Sequence, residues 1–545
     1  MPQHVPASQR QWWYACVVAT SVAAMVFLPE AFLVDALPLE IASGAAGISA
    51  DSIACTDDED FLFNNRRGKN CRWVGARRRE KRCGKRSRQG EKIETRCRKT
   101  CDYQGCDVRF ELTVGAYYYP WWGSDFHVGG GKQLYLRKVL DPPQIPLLGE
   151  YDDRNPAVIG KHLDWSRKHN INLWVASWWG PNRREDDTIK KVILPHEKIR
   201  DHKVAIFYET TGRLLGENRD GTAKPLNQSQ FDLEYLCREY FNHTNYYRMG
   251  VDEFGNANAG SATTRPVLFV YLTRKLEDEG MLEEVLSLMR QGARNEGCGE
   301  IFIVGDQVFG GPPQPSDAEL IPLRELNAVT NYDVYGSMRG PDLNGYVGSR
   351  EKVTEYYQEQ NEWKNIARDN NCSYIPGVSP GFNDRGVRLD RNRQPLSRKL
   401  NSTAAEGSLF RAALEEARTI VDPTIGNLIM VNSFNEHHED TQIEPVLRPK
   451  DDARGPTTST NQPLNRTIGL EYEAYGKLYL EIVKELTKDW EPPAPSAPAR
   501  ASSGPSLSLP SEGFPVISAS SMVAMVRMSK EEGLMTVSDI NWEEE

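Results

Sequence analysis

The chain has 545 residues, a net charge of −10 and a hydrophobic fraction of 39%. This length exceeds that of a usual single domain, which argues against one domain that fills the whole chain. One large central domain with appendages at both ends accounts for the length, and changes in composition divide the chain into four parts.

The first part, residues 1–50, has the pattern of a targeting segment. Arg10 precedes an uncharged apolar run of 17 residues from Trp12 to Leu28. This pattern predicts a secretory signal peptide or a signal anchor. Because such a run is just long enough to span a bilayer, removal of the segment and its retention as a type II membrane anchor are both open, with removal favoured. A buried core helix is the alternative, but no neighbouring segment offers a partner face.

The second part, residues 51–107, is a small cysteine-rich module. Six of the ten cysteines of the chain lie within 52 residues, at Cys55, Cys71, Cys83, Cys97, Cys101 and Cys106. This density predicts a disulfide framework, whose pairing the sequence leaves open. Zinc binding is the alternative, but the module contains no His and no C-x2-C pair. The closing C-x3-C-x4-C spacing resembles that of six-cysteine ShK-like modules in extracellular enzymes.

The same module is strongly basic. Sixteen Lys or Arg and three Glu lie between Arg66 and Lys99, whereas the rest of the chain is acidic. Charge separated in this way predicts contact with a polyanion. In an exported protein an acidic or sulfated polysaccharide is the expected partner, rather than nucleic acid. A solvated or proteolytically processed basic segment fits the pattern equally well.

Five N-x-S/T sequons agree with export to the secretory pathway, where such sites become glycosylated. They are at Asn227, Asn242, Asn371, Asn401 and Asn465. The predicted location is therefore the secretory pathway, either as a secreted protein or in the Golgi membrane.

The third part, residues 108–490, alternates short apolar, β-branched or aromatic runs with stretches long enough for a helix. The eight runs begin at Val114, Ile171, Val204, Pro266, Ile301, Val329, Tyr374 and Leu428. This alternation predicts parallel βα units, and eight of them close into a (β/α)8 TIM barrel. An open doubly wound sheet is the alternative, but no G-x-G-x-x-G follows the first run. The predicted fold class is thus α/β: a TIM barrel, a small N-terminal disulfide-rich module and, at residues 491–545, a Pro/Ser-rich, mostly disordered tail.

Two glutamates follow the last run, and the active site of such barrels lies where strands end. Glu436 and Glu439 are three positions apart, so a helical turn would put both carboxylates on one side. Two close carboxylates do not ionise independently: one pKa rises, which leaves an acid beside a base. Hydrolysis of a glycosidic bond needs this division of roles. A solvated, charged loop is the alternative, but the preceding LIMV run must be buried.

Metal binding is a second alternative at this segment. His437 and His438 with the two glutamates could supply ligands, but there is no H-E-x-x-H motif, and the side chains of adjacent histidines diverge on a helix or strand. We therefore expect no metal and no cofactor.

Several motifs in register resemble one enzyme family. SFNEHHEDTQIEP at Ser433 is similar to SFNEWHEGTQIE, the signature of the endo-α-mannosidases of glycoside hydrolase family 99. Further matches occur in the same order over residues 114–480: YYPWWG at Tyr118, EYDDRNPAVI at Glu150, VASWWG at Val175 and SPGFNDRGVR at Ser379. The resemblance implies a retaining glycoside hydrolase that cleaves mannose-containing glycans.

The resemblance also implies roles for individual residues. Glu436 corresponds to the base that acts on the substrate's own 2-hydroxyl, and Glu439 to the acid that protonates the leaving oxygen, so that the reaction passes through a 1,2-anhydro sugar. Tyr119 and Trp178 would line sugar subsites. The other candidate substrate-binding residues are His127, Tyr208, Glu209, Tyr332, Asp384, Arg388, Asn435 and His438. For each, a structural role at the barrel rim is the alternative.

Two departures from the signature affect the transfer of these roles. His437 stands where the family has Trp, and Asp440 stands where it has Gly, so we expect a changed loop shape or an added acid near Glu439. Two other functions remain open: a glycosyl-transferring barrel of polysaccharide biosynthesis with the same carboxylate pair, and a non-catalytic glycan-binding protein.

Overall fold

The structure is a computed structural model of the full chain. It describes residues 112–123, 135–140, 143–314, 320–338, 344–388, 393–447, 472–488 and 490–491, together with isolated positions between 63 and 97. The predicted targeting segment and most of the predicted C-terminal tail lie outside these residues, as do His127 and Asn465.

The chain divides into two compact units, residues 1–100 and 101–545. In the first unit, Cys71 forms a disulfide with Cys97, and Cys83 is also disulfide-bonded. The side chains of Val74 and Ile93 in the same unit are fully buried. Cys55, Cys101 and Cys106 lie outside the described residues.

The second unit is built on a parallel sheet. Its strands are β1 (Thr113–Tyr118), β2 (Leu173–Trp178), β3 (Lys203–Tyr208), β4 (Arg248–Gly250), β5 (Thr264–Val270), β6 (Phe302–Asp306), β7 (Ala328–Thr330), β8 (Ser373–Ile375), β9 (Gly377–Val378) and β10 (Leu428–Val431). The hydrogen-bonded order is β8-β7-β6-β5-β3-β2-β1-β10-β9, and β4 pairs with β5 in antiparallel fashion.

The sheet closes because its two ends are one stretch of chain. Strands β8 and β9 are separated only by Pro376, which has no N–H to donate. β8 pairs with β7 and β9 pairs with β10. Counting β8 and β9 as one interrupted strand gives an eight-stranded barrel, and each of the eight apolar runs contributes one strand. The predicted (β/α)8 fold is therefore confirmed.

Helices alternate with the strands and surround the barrel. They are α1 (Pro156–Lys168), α2 (Arg184–Thr188), α3 (Gln228–Leu236), α4 (Thr273–Asp278), α5 (Leu282–Asn295), α6 (Ile321–Glu325), α7 (Val334–Met338), α8 (Arg350–Asp369), α9 (Ser408–Ala417) and α10 (Leu478–Thr487). Pro156 occupies the first position of helix α1, where its missing N–H costs nothing, and the Asn155 side chain accepts a hydrogen bond from the Ala157 N–H.

Side chains alternate between two buried layers along each strand, as the pleat requires. On β2, Leu173 and Val175 point into the barrel, whereas Trp174, Ala176 and Trp178 pack outwards against the helices. The inner layer is a small apolar core, and the outer layer is the larger one. Strand position therefore decides whether an aromatic residue can reach the mouth of the barrel.

The structure also locates the predicted sequons and the cysteines of the barrel. Asn227, Asn242 and Asn371 are exposed and Asn401 is half-buried, so the first three are accessible, while glycosylation itself stays a prediction. Cys237 and Cys298 form a disulfide, and Cys372 is a buried free thiol. Within the described residues, no helix is both long enough and apolar enough to cross a membrane.

Candidate active site

The predicted glutamate pair lies on the loop that follows β10. Residues 437–440 form a tight turn rather than a helix, and the N–H of Thr441 donates to the carbonyl of Glu436 at 3.2 Å. The hydroxyls of Ser433 and Thr441 are 2.9 Å apart and tie the two ends of the turn together. The three-residue spacing thus brings both carboxyl groups to one loop by a turn.

Glu436 is buried and held by its neighbours. The backbone N–H of His438 donates to its Oε1 at 2.8 Å, and His438 Nδ1 lies 3.4 Å from the same oxygen. The N–H of Glu436 donates to the Ser433 hydroxyl at 2.8 Å. These contacts fix the position of the Glu436 carboxyl group within the turn.

Glu439 has a different environment. Arg388 Nη1 donates to its Oε1 at 2.8 Å and to Asp384 Oδ2 at 2.9 Å. Burial nevertheless raises the pKa of Glu439 to about 7. The charge of Arg388 lowers this pKa, but the nearby Glu436 carboxylate raises it again. A carboxyl group with this pKa holds a proton that it can donate near neutral pH.

A third carboxyl group, Glu209, follows β3 at the same end of the barrel. The Ser177 hydroxyl donates to its Oε1 at 2.7 Å, and Trp179 Nε1 donates to that hydroxyl at 3.0 Å. Burial raises the pKa of Glu209 to about 8 despite the Ser177 hydrogen bond, and the charges of Glu439 and Glu436 add to the rise. The carboxyl group is therefore neutral at pH 7 and can donate a hydrogen bond.

Aromatic rings surround this group of acids. The hydroxyls of Tyr119 and Tyr332 are hydrogen-bonded to each other. The Tyr119 ring lies 4.7 Å from the Trp121 ring, which lies 6.4 Å from the rings of Trp179 and His438. The Nε1 of Trp121 and the Nε2 of His438 are buried and lack a partner within the described part of the chain.

The structure places two predicted sugar-contacting residues elsewhere. Trp178 and Tyr208 are fully buried in the outer layer, between strands and helices. Trp178 Nε1 donates to Asp186 at 2.9 Å, and the Tyr208 hydroxyl donates to Asp232 at 2.7 Å. Each is one position out of register with the barrel interior, so neither lines the mouth.

Sequence reasoning missed the residues that take their place. Ser177 and Trp179 flank Trp178 and reach the mouth, and Trp121 joins them from the loop after β1. The signal was available in the alternation of β2, because Val175 must point inwards for the strand to fill the barrel, and Ser177 then does so too.

Asn435 is also less accessible than the prediction assumed. Its side-chain Oδ1 accepts from the Tyr119 N–H at 2.8 Å, and its Nδ2 donates to the Tyr119 carbonyl at 3.0 Å. The amide therefore fastens the loop after β1 to the loop after β10. This arrangement supports the position of Tyr119 rather than offering a free group to a sugar.

The structure explains how Asp440 fits where the family signature has Gly. Asp440 keeps a positive φ of 53°, the conformation that a glycine adopts without strain. Arg137 Nε donates to its Oδ1 at 2.7 Å, and Arg398 Nη2 lies 3.3 Å from the same oxygen. Burial alone would raise the pKa of Asp440, but the two arginines lower it. This acid is thus a fixed anion and does not act as a second proton donor beside Glu439.

His437, which replaces the Trp of the family signature, is part of a buried cluster around Glu444. His437 Nε2 lies 3.0 Å from Glu444 Oε2, and His162 Nε2 lies 3.1 Å from Oε1. The Tyr151 hydroxyl donates to Oε2 at 2.7 Å. Although burial opposes ionisation, His162 and these hydrogen bonds lower the pKa of Glu444 to about 2.

A metal site does not emerge from the described residues, since they contain no group of three or more His, Cys, Asp or Glu arranged to hold an ion. His437 and His438 face Glu444 and Glu436 respectively, in two different directions from the loop.

Fold and site together define a class of protein. A closed parallel barrel carries, at the carboxyl ends of its strands, a buried carboxylate, a second carboxyl group with a raised pKa and a lining of aromatic rings. This is the architecture of a (β/α)8 glycoside hydrolase.

Comparison with known proteins narrows the class. No protein-family model matches the chain. The chain is 26% identical to the glycoprotein endo-α-1,2-mannosidase of Mus musculus over 405 residues, which are 69% of this chain and 73% of that protein. It is 24% identical to the glycoprotein endo-α-1,2-mannosidase-like protein of Homo sapiens over 374 residues, 64% of this chain and 71% of that one.

The chain is a homologue of these proteins, which confirms the resemblance predicted from its motifs. Among solved structures, the GH99 endo-α-mannosidase from Bacteroides thetaiotaomicron aligns with 68% of this chain and 96% of its own, at 18% identity and a TM-score of 0.41. The likeness of the six-cysteine module to ShK-like modules stays a prediction.

Proposed function

We propose that this protein is a retaining, endo-acting α-mannosidase-like glycoside hydrolase that cleaves mannose-containing glycans, with Glu436 as base and Glu439 as acid. The observation that carries the assignment is the contrast within one loop: Glu436 accepts a backbone N–H, while the pKa of Glu439 is raised to about 7. The homology to endo-α-1,2-mannosidases supports the substrate class.

In the first step, the ionised Glu436 takes the proton of the substrate's 2-hydroxyl. The 2-oxygen attacks the anomeric carbon and the glycosidic C–O bond breaks, which forms a 1,2-anhydro sugar. Glu439 donates its proton to the leaving oxygen. Because a sugar hydroxyl is a weak acid, Glu436 has to be ionised and within hydrogen-bond reach of it.

In the second step the two roles reverse. Glu439, now a carboxylate, takes a proton from water, and the water oxygen attacks the anomeric carbon as the three-membered ring opens. Glu436 returns its proton to the 2-oxygen. Two displacements at one carbon leave its configuration unchanged, so the product is released with net retention.

The surrounding groups have matching roles in this proposal. Glu209, Asp384 and Arg388 bind sugar hydroxyls, with Glu209 as a neutral donor. The Nε2 of His438 and the Nε1 of Trp121 are buried polar atoms without a partner in the described structure, and a substrate hydroxyl would satisfy each of them. Tyr119 and Tyr332 complete the wall of the sugar site.

The secretory pathway is the proposed location, as a secreted or Golgi membrane protein, and an acidic polysaccharide is the proposed partner of the basic module. The support comes from the N-terminal apolar run, the sequons and the charge of residues 66–99. Three exposed sequons agree with glycosylation of a folded chain.

The proposal is tested by incubating the protein with α-1,2-linked manno-oligosaccharides and following the first product by NMR, with and without an acceptor sugar. Hydrolysis with an α-configured first product is expected. A β-configured product would contradict the mechanism, and a longer oligosaccharide formed only with acceptor would indicate a transferase. No turnover together with ligand affinity that survives E436Q and E439Q would indicate a glycan-binding protein.

A further inference from the structure

An exposed aromatic ring lies at the same end of the barrel as the glutamate pair. Phe309 is 47% exposed and follows the end of β6 by three residues. Its neighbour Val308 is fully buried, and the Val308 N–H donates to the Thr330 carbonyl at the end of β7 at 3.2 Å. Phe309 therefore stands on a loop that continues the barrel wall.

This loop is fixed from both sides. Gln307 Nε2 donates to Glu277 Oε2 at 2.5 Å, and Trp363 Nε1 of α8 donates to the Gly310 carbonyl at 3.1 Å. Gly310 has a φ of +74°, which turns the chain directly after the aromatic residue. A ligand that binds this ring does not have to order the loop first, so the site is preorganised.

The ring itself is supported by a half-buried cation. The Arg274 guanidinium carbon lies 5.0 Å from the centre of the Phe309 ring. Arg274 is in turn paired with Asp306 at 2.7 Å and with Asp333. A guanidinium with two carboxylate partners cannot move freely, and it holds the aromatic ring in place by a cation–π contact.

One edge of the ring rests on α7. A Cβ added at Gly336 would lie 2.8 Å from Phe309 Cε2, so the absence of a side chain there gives the ring its position. The next residue back, Tyr335, stacks on Phe382 with ring centres 3.8 Å apart. Together these contacts form a rigid aromatic corner at the barrel mouth.

This corner lies on the side of the acid rather than the base. Asn383, the residue after Phe382, donates its backbone N–H to the carbonyl of Glu439 at 2.7 Å. Glu439 faces the leaving oxygen in the proposed reaction. A ligand ring over Phe309 would therefore belong to the part of the substrate that leaves.

We propose that Phe309 forms a sugar-stacking subsite on the leaving-group side of the cleaved bond, an inference that rests on the proposed function. The apolar C–H face of a mannose residue packs on the exposed phenyl ring, and the Asp333 carboxylate beside it accepts from sugar hydroxyls. An endo-acting enzyme needs such contacts because it recognises sugars on both sides of the bond.

Another exposed phenylalanine provides a matched control. Phe254 is 80% exposed, but it lies in the turn between β4 and β5, which precedes the amino end of β5. Singly exposed apolar residues are common on protein surfaces and need no ligand. If only exposure mattered, replacing either ring would have the same consequence.

The test measures KM for an α-1,2-linked mannotetraose and for a glycosyl fluoride with the same donor part, whose leaving group has no sugar. F309A is expected to raise KM for the oligosaccharide about tenfold, which equals about 1.4 kcal/mol, without changing KM for the fluoride. F309W is expected to retain parental KM values. G336A keeps the ring but displaces it, so a smaller rise is expected, and F254A changes neither value.

An equal rise of KM for both substrates, or none for either, would overturn the subsite. Calorimetry with α-1,2-mannobiose, the leaving-side fragment, separates this result from failure of the proposed function. If the parent hydrolyses neither substrate, the hydrolase assignment fails, yet mannobiose binding that F309A weakens about tenfold would still support the stacking site. Unchanged mannobiose affinity in F309A would reject it.

Discussion

Two of the three glutamates in the loop after β10, Glu439 and Glu444, have opposite electrostatic environments. Glu439 has one cationic partner, Arg388, and a side chain that is 15% exposed. Glu444, five residues further on, is fully buried between His162, His437 and Tyr151. The pKa of Glu439 is raised to about 7, and that of Glu444 is lowered to about 2.

The difference teaches that burial alone does not set the role of a carboxyl group. Burial opposes ionisation at both positions, and the number of donors around each one decides the outcome. Glu439 keeps a proton that it can give to a substrate. Glu444 is a permanent anion that fastens the loop to α1 through His162, so that the turn before it is held still.

The largest effect on stability is expected from Glu444→Gln. The change removes the charge that His162 and His437 face, and it should lower the free energy of unfolding by about 3 kcal/mol. Urea unfolding at pH 7 measures it. Molecules that remain folded should still turn over substrate.

Glu485→Gln is the matched control, because this exposed carboxylate pairs with Arg411 on the surface. It should unfold like the parent. A Glu444→Gln variant with parental stability and no activity would instead assign Glu444 to the chemistry and remove the contrast between the two positions.

A smaller effect, on the pH profile, is expected from Arg388→Gln. The acid must be protonated to work, so kcat/KM falls as pH rises through the pKa of Glu439, near 7. The Arg388 charge lowers that pKa, and its loss should move the alkaline limb about one pH unit upwards. Arg411→Gln, a surface control, should leave the limb where it is. Movement of the limb to lower pH would refute the role of Arg388.

The smallest effect is a gain of stability in Glu439→Gln above pH 7. Since the folded pKa of Glu439 exceeds its ordinary value of 4.5, its contribution to stability is complete below pH 4.5 and is lost as pH rises through 7. Glutamine stays neutral, so at pH 8 the variant should be more stable than the parent, and at pH 4 the two should be equally stable. Thermal unfolding at both pH values checks this, and a loss at pH 8 would show that the charged form is the favoured one.

The barrel could be predicted from the sequence because each strand is a buried, apolar run and each connection is long enough for a helix. The closure of the sheet at Pro376 could not be predicted, because a proline in the sequence indicates the end of a strand. In the structure, β8 and β9 pair on either side of it. The turn at Asp440 could not be predicted either, because the positive φ of a residue other than glycine and its contacts with Arg137 and Arg398 become visible only in the structure.

The acidic residues of the site could be predicted from the sequence, whereas the aromatic residues that line it could be predicted only in part. Glu436, Glu439, Glu209 and Tyr332 gather at the mouth, as their places after strands suggest. Trp178 does not lie at the mouth. Neighbouring residues such as Trp178 and Trp179 point to opposite faces of a strand, and the sequence alone does not show which face is inside the barrel. Ser177 and Glu209, which hydrogen-bond at the mouth, fix that choice.

The central claim is that Glu436 and Glu439 perform separate steps as base and acid. The most direct measurement compares E436Q and E439Q on an oligosaccharide and on a glycosyl fluoride, whose leaving group needs no protonation. We expect both variants to lose at least about a thousandfold in kcat on the oligosaccharide, and only E439Q to recover bond cleavage on the fluoride. Equal losses on both substrates, or recovery by E436Q instead, would contradict the assignment.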